Sequence, residues 1–143
     1  MRKLKNSELN RVSTAEFIEQ EKTPLVLILD NVRSLNNVGS VFRTADAFKV
    51  QAVFLCGITA TPPHREITNT ALGATDSVAW RYFKTTEEAI DSLEENFRVL
   101  AVEQAEPSIS LEQFSWDKRP VALVFGNEVK GVSEAAMNKC EAA

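Results

Sequence analysis

The feature that most restricts the fold is a series of short, unbroken apolar runs separated by stretches with helical spacing. Leu25–Leu29, Ala52–Cys56 and Val121–Phe125 are each continuously apolar, and a glycine closes the latter two (Gly57, Gly126). A strand with one wet face alternates apolar and polar residues, whereas a strand buried on both faces does not. The pattern therefore predicts an α/β fold, a mainly parallel sheet with helices on both faces. At 143 residues the chain suits a single domain spanning 1–143. No run approaches the roughly 20 apolar residues of a membrane span. The basic start Met1–Asn6 leads into no apolar stretch, so no secretory signal is read. A cytoplasmic protein without membrane attachment is expected.

Local signals place the elements. Ser13-x-x-Glu16 is a capping box that opens a helix behind a basic arm, the two together occupying 1–22. The strand Leu25–Leu29 ends in Asp30. Asn36 and Asn37 open a second helix with Val38, Val41, Phe42, Ala45 and Phe48 as its apolar stripe. Pro62 and Pro63 impose a loop after the second strand. Further on, a helix is expected over Glu66–Leu72, a strand over Ser77–Phe83 and a helix from Thr85-x-x-Glu88 through Leu93. A strand over Arg98–Val102 and a last helix from Ser133 complete the reading.

The net charge is −4, but its distribution is uneven. Arg2, Lys3, Lys5 and Arg11 oppose Glu8 alone in the arm, while only Arg98 balances the acids crowded between positions 87 and 106. One histidine, His64, and two cysteines, Cys56 and Cys140, without CxxC spacing supply neither a metal-ligand set nor a disulfide framework. Trp80, Tyr82 and Phe83 alternate with Arg81 and Lys84; this suits either an aromatic strand packed into the core or a platform on which bases stack.

Ligands of open parallel sheets collect beyond the carboxyl ends of the strands, and two polar clusters follow strands here. In the first, Arg43 falls opposite the apolar stripe with Gly39 one turn before it. The bare surface at Gly39 would admit a ligand beneath Arg43; alternatively, Arg43 and Asp46 form an exposed i, i+3 ion pair worth about 0.2–0.5 kcal/mol. The second cluster is Gly126-Asn127-Glu128-Val129-Lys130-Gly131. Val132 stands where a phosphate-binding P-loop requires lysine, and GxGxxG is absent. The segment is either a loop whose backbone meets a ligand or a tight strand-to-helix turn.

Together the clusters resemble the SpoU/TrmH family of RNA ribose 2′-O-methyltransferases, within the SPOUT superfamily. Asn37, Gly39, Arg43, Thr44 and Ala45 match the motif N-x-G-x-x-x-R-[ST]-A. The strand Val121–Phe125 followed by Gly126, Asn127, Glu128 and Gly131 matches G-N-E-x-x-G after a buried strand. Gly57, Pro62-Pro63 and Thr70–Ala74 also look like the family. The resemblance implies a SPOUT-like α/β domain with a C-terminal trefoil knot, a homodimer, S-adenosyl-L-methionine as cofactor and structured RNA (tRNA or rRNA) as substrate. It implies catalytic roles for Arg43, Asn37 and Glu128, and a cofactor site built from Val102, Glu103, Gly126, Asn127 and Gly131. It further implies a third motif, an Ile-Pro strand followed by Ser-Leu-Asn, soon after Cys140. The sequence given ends at Ala143, so a longer protein is expected.

The chemistry implied makes definite demands. A ribose hydroxyl is a poor nucleophile until its proton is removed or polarised. Arg43 is expected to clamp the adjoining phosphate bidentately and stabilise developing negative charge. RNA phosphates need local cations, for which Arg2, Lys3, Lys5, Arg11, Arg33, Arg65 and Lys130 are the candidates; no metal is expected. The alternative is a non-catalytic RNA- or nucleotide-binding relative with an incomplete cofactor site. A small-molecule enzyme of flavodoxin-like architecture lacks its phosphate signature in this sequence.

Overall fold

The computed structural model describes residues 1–143. A 3-10 turn at Asn6–Glu8 and helix α1 (Thr14–Glu19) precede β1 (Thr23–Asp30), α2 (Leu35–Ala47) and β2 (Val50–Cys56). Then come α3 (Arg65–Ala71), α4 (Ala74–Ser77), β3 (Trp80–Phe83), α5 (Thr86–Asp91), β4 (Arg98–Val102), β5 (Val121–Phe125) and α6 (Glu134–Met137). The strands form one sheet in the order β3-β2-β1-β5-β4, and every pair is parallel, as the apolar runs predicted.

Alternate residues of the central strand β1 serve opposite layers. Leu27 and Leu29 pack with Val38, Phe42 and Ala45 of α2 and Ile67 of α3. Val26 and Ile28 pack with Ala89 and Ile90 of α5 and Ala136 of α6. Phe42, Ile28, Leu29 and Leu55 are fully buried, and each such side chain contributes roughly 1.5–3 kcal/mol. The helices that follow β1 and β5 thus leave for opposite faces although the two strands are neighbours. This opens a crevice between their carboxyl ends, the place where an open α/β sheet holds its ligand.

Most boundaries fall within two residues of the sequence reading, with β1 starting at Thr23, β2 at Val50 and α3 spanning Arg65–Ala71. There are three further differences. The strand expected from Ser77 begins at Trp80, because Ala74–Ser77 form α4, tied to α2 by the Ser77 hydroxyl donating to Asp46 Oδ1 at 2.7 Å. Phe48 is the C-cap of α2 and 68% exposed, so it lies outside the apolar stripe. Helix α5 ends at Asp91 rather than Leu93.

On the α2 side of the sheet, a groove of about 690 Å³ runs along β4, β5 and the start of β1. Leu25, Leu100, Val102, Leu123 and Phe125 line it, with Ile109 and Trp116 from the irregular segment above. The chain end lies alongside β4, where Leu100 bridges to Ala142 and the Ala101 N–H donates to the Ala142 carbonyl at 2.9 Å. No helix is long and apolar enough to cross a membrane.

Candidate functional site

The crevice is built from strand ends joined by side chains. Asp30, the last residue of β1, is 1% exposed. Its Oδ1 accepts from the Thr86 hydroxyl at 2.6 Å and from Asn31 Nδ2 at 3.0 Å, and its Oδ2 accepts from the Ser133 N–H at 2.7 Å. A buried carboxylate is tolerable only when paired in this way, so Asp30 pins the starts of α5 and α6 to the central strand. Thr59, also buried, donates to the Leu29 carbonyl and accepts from the Val32 N–H. Sequence reasoning gave neither residue a task; a carboxylate closing a fully apolar run was the available signal for Asp30.

Asn31 extends this framework sideways. Its Oδ1 accepts from the Ile58 N–H at 3.1 Å, and its carbonyl accepts from Asn127 Nδ2 at 2.8 Å. A Cβ at Gly57 would stand 2.1 Å from Asn31 Oδ1, and Gly57 has φ +62°, so both space and backbone require glycine there.

The turn after β5 closes on itself. Asn127 and Gly131 exchange backbone hydrogen bonds, and Asn127 Oδ1 accepts from the N–H groups of Val129 and Lys130. A Cβ on Gly126 would meet the Gly131 backbone at 2.1 Å, and one on Gly131 would meet Glu103 Oε2 at 2.1 Å. Glu103 accepts from the N–H groups of Val132 and Gln104, both at 2.8 Å, and these hold its carboxyl below the ordinary range. The expected cofactor residues Val102, Glu103, Gly126, Asn127 and Gly131 are therefore brought together at the ends of β4 and β5. Of the two readings of the turn, the tight strand-to-helix connection accounts for its glycines.

Glu128 projects from this turn to the start of α2. Its Oε2 accepts from the Arg33 N–H at 3.0 Å, and its Oε1 accepts from the Ser34 N–H at 2.9 Å and Asn37 Nδ2 at 3.1 Å. The neighbouring protein surface displaces some water and pushes the carboxyl up, but the hydrogen bonds from Arg33, Ser34 and Asn37 outweigh this and hold it at about 2. Such an acid is a weak proton acceptor at neutral pH; its geometry is that of a clamp. The two motifs meet through it, since Ser34 is the N-cap of the helix that carries Arg43.

Arg43 is exposed and makes neither an ion pair nor a side-chain hydrogen bond. The ion pair with Asp46 is not formed, because Asp46 accepts from Ser77 instead. The surface at Gly39 is not open as expected: a Cβ there would lie 1.8 Å from Thr70 Oγ1 and 2.5 Å from the Ile67 carbonyl. The glycine lets α3 approach α2, and the Thr70 hydroxyl donates to the Asn36 carbonyl at 3.2 Å.

The candidate RNA contacts divide. Arg33 and Lys130 stand exposed at the crevice, and Arg65 is exposed at the start of α3. Lys3, Lys5 and Arg11 are exposed on the arm, whose side-chain hydrogen bonds stay within it. Arg2 is engaged by Glu8 through two bonds of 3.0 and 2.7 Å.

The family model described as "SpoU rRNA Methylase family" matches residues 24–143. A Staphylococcus haemolyticus protein named for the TrmH family of tRNA/rRNA methyltransferases is 28% identical over 130 residues, covering 88% of this chain and 52% of that protein. The crystal structure of an rRNA methyltransferase from Sinorhizobium meliloti gives a TM-score of 0.76 at 24% identity, covering 88% of this chain and 49% of that one. The SpoU methyltransferase AviRb from Streptomyces viridochromogenes, in complex with the cofactor AdoMet, gives 0.76 at 21% identity, covering 89% and 52%. The chain spans about half the length of the curated relatives it matches. The matched residues run through both polar clusters and the crevice they form, and the chain belongs to the SpoU rRNA methylase family.

Proposed function

We propose that residues 24–143 form the greater part of a SPOUT-type domain that methylates a ribose 2′-hydroxyl in structured RNA, tRNA or rRNA, using S-adenosyl-L-methionine. In this reading the whole protein works in the cytoplasm as a homodimer with the knotted topology of its family, and residues 1–22 are a basic arm. The observation that carries the proposal is the unpaired guanidinium of Arg43 on a helix whose start is clamped by Glu128 to the turn after β5.

The residues at the carboxyl ends of β4 and β5 suit the cofactor. Val102 and Phe125 give apolar walls at the end of the groove, and the ionised Glu103 gives a negative rim, a combination fitted to an adenosine attached to a sulfonium. Val102, Glu103, Gly126, Asn127 and Gly131 would hold S-adenosylmethionine, which supplies an electrophilic methyl group when bound. Glu128 and Asn37 keep the helix start in register with that turn. Arginine side chains stay protonated at neutral pH, so Arg43 acts by binding two oxygens of one phosphate bidentately and by stabilising the negative charge that develops on the ribose oxygen as its proton passes to water; the oxygen then takes the methyl group, with S-adenosylhomocysteine as the leaving group. Arg33, Arg65 and Lys130 add phosphate attraction near the crevice, and Lys3, Lys5 and Arg11 add it from the arm.

The test is Arg43→Lys in the full-length gene product. Charge is kept and the two-pronged contact is lost, so the turnover rate on RNA should fall about tenfold or more, equivalent to at least ~1.4 kcal/mol of barrier. Calorimetric affinity for S-adenosylmethionine should not change. A parental rate would refute the clamp, and mass spectrometry finding the methyl group on a base would refute the ribose assignment. Failure of the full-length wild type to bind S-adenosylmethionine would instead favour the non-catalytic RNA- or nucleotide-binding alternative.

A further inference from the structure

We propose that Tyr82 is a stacking platform for a nucleobase that flanks the methylated nucleotide, with Lys84 placed for the adjoining phosphate; this rests on the RNA reading above. The aromatic and cationic residues of β3 separate sharply in the fold. Phe83 is buried against Phe54, and Arg81 lies over the Phe83 ring at 4.8 Å. Trp80 packs at the edge of the α2-side core. Tyr82 alone among them leaves much of its ring in solvent, 48% exposed.

Its position points to the site. Tyr82 pairs in register with Leu55, and Leu55 packs in the core beneath α2 and α3. In a parallel pair such residues face the same side, so the ring lies on the layer that carries Arg43. The Tyr82 hydroxyl donates to the Gly57 carbonyl at 2.9 Å, just beyond the carboxyl end of β2. Side chains continue that line inward: Gly57 abuts Asn31, Asn31 accepts from Ile58, and Asn127 donates to the Asn31 carbonyl. Tyr82 is thus the outer end of a framework whose inner end is the turn bearing Glu128. Three strand spacings of ~4.8 Å place it about 14 Å from β5, clear of a nucleotide reacting at the crevice and on the side where a flanking one would run.

The chemistry suits a base. A ring held by its strand at one end and by its hydroxyl at the other loses little rotamer freedom when a base lies on it. β3 is the outermost strand, so no further strand covers that flank. Lys84, two residues further along the chain and just past the end of β3, is exposed and supplies a cation on the same flank of the sheet. Single-stranded RNA loops are bound by this pairing of an aromatic face with a cation.

The experiment measures binding of a hairpin RNA with 2-aminopurine in its loop to wild type, Tyr82→Phe and Tyr82→Leu, alongside calorimetry with S-adenosylmethionine. Wild type and Tyr82→Phe should both quench the fluorophore. Tyr82→Leu, which keeps an apolar side chain but no π face, should lose the quenching and bind roughly 5- to 150-fold more weakly, with cofactor affinity unchanged. Tyr82→Leu binding as tightly as wild type would overturn the platform and leave the RNA reading standing. A change in sedimenting mass with RNA affinity intact would also overturn it, making Tyr82 a contact between copies. A wild type that does not hold the hairpin would refute the RNA reading itself and the platform with it.

Discussion

Replacing Glu128 by glutamine tests whether one carboxylate joins the two motifs. The side chain accepts three hydrogen bonds, two from the backbone at the start of α2 and one from Asn37. Glutamine keeps the length but loses the charge and turns an NH₂ group toward at least one donor. The carboxyl is held at about 2 against an ordinary 4.5, and each tenfold difference in acidity corresponds to ~1.4 kcal/mol. Because Glu128 is exposed, solvent screening reduces the contribution to about 1–2 kcal/mol. A carboxyl more acidic in the fold than in the unfolded chain gives its full stabilisation above pH 4.5 and loses it as the pH falls toward 2. Urea unfolding should show Glu128→Gln less stable by that amount at pH 7, with the gap narrowing at pH 3.5. An equal gap at both pH values, or none at pH 7, would refute the clamp. The proposed methyl transfer by the full-length protein should fall as well, since the helix start that leads to Arg43 is released.

Gly39→Ala should destabilise by up to ~2 kcal/mol in the same assay, because overpacking against the Ile67 carbonyl, typically ~1–3 kcal/mol, outweighs the helix-propensity gain of ~1 kcal/mol; a more stable variant would show that α3 gives way freely. The cysteines should be poor nucleophiles: burial pushes the Cys56 thiol up to about 12 and the Cys140 thiol to about 11, with Asp30 adding to both. At pH 8 the buried Cys56 should not react with a disulfide reagent until urea is added and the half-buried Cys140 should react only slowly; prompt labelling of Cys56 in the native chain would contradict its burial.

Much of the fold was legible because it depends on local pattern. Continuous apolar runs marked three of the parallel strands, and the capping box at Ser13 and the N-cap at Thr85 marked real helix starts. The strand from Ser77 was misjudged because Ser77 is committed to Asp46, thirty-one positions earlier, a contact that no window of neighbouring residues contains. Gly39 shows the same limit. Its small size was visible, but an open surface and a helix crossing leave the same gap in a sequence.

The amino-acid order alone determined that three short stretches would be buried on both faces and that two glycine-bearing polar clusters would follow strands, since burial and turn formation act over a few residues. Only the tertiary structure decided what those clusters do to one another. It set Glu128 against Ser34 across 94 positions, left Arg43 unpaired and carried Tyr82 to the rim. These outcomes depend on which strand ends become neighbours, and the crossover from β3 to β4 sets that by placing β5 beside β1.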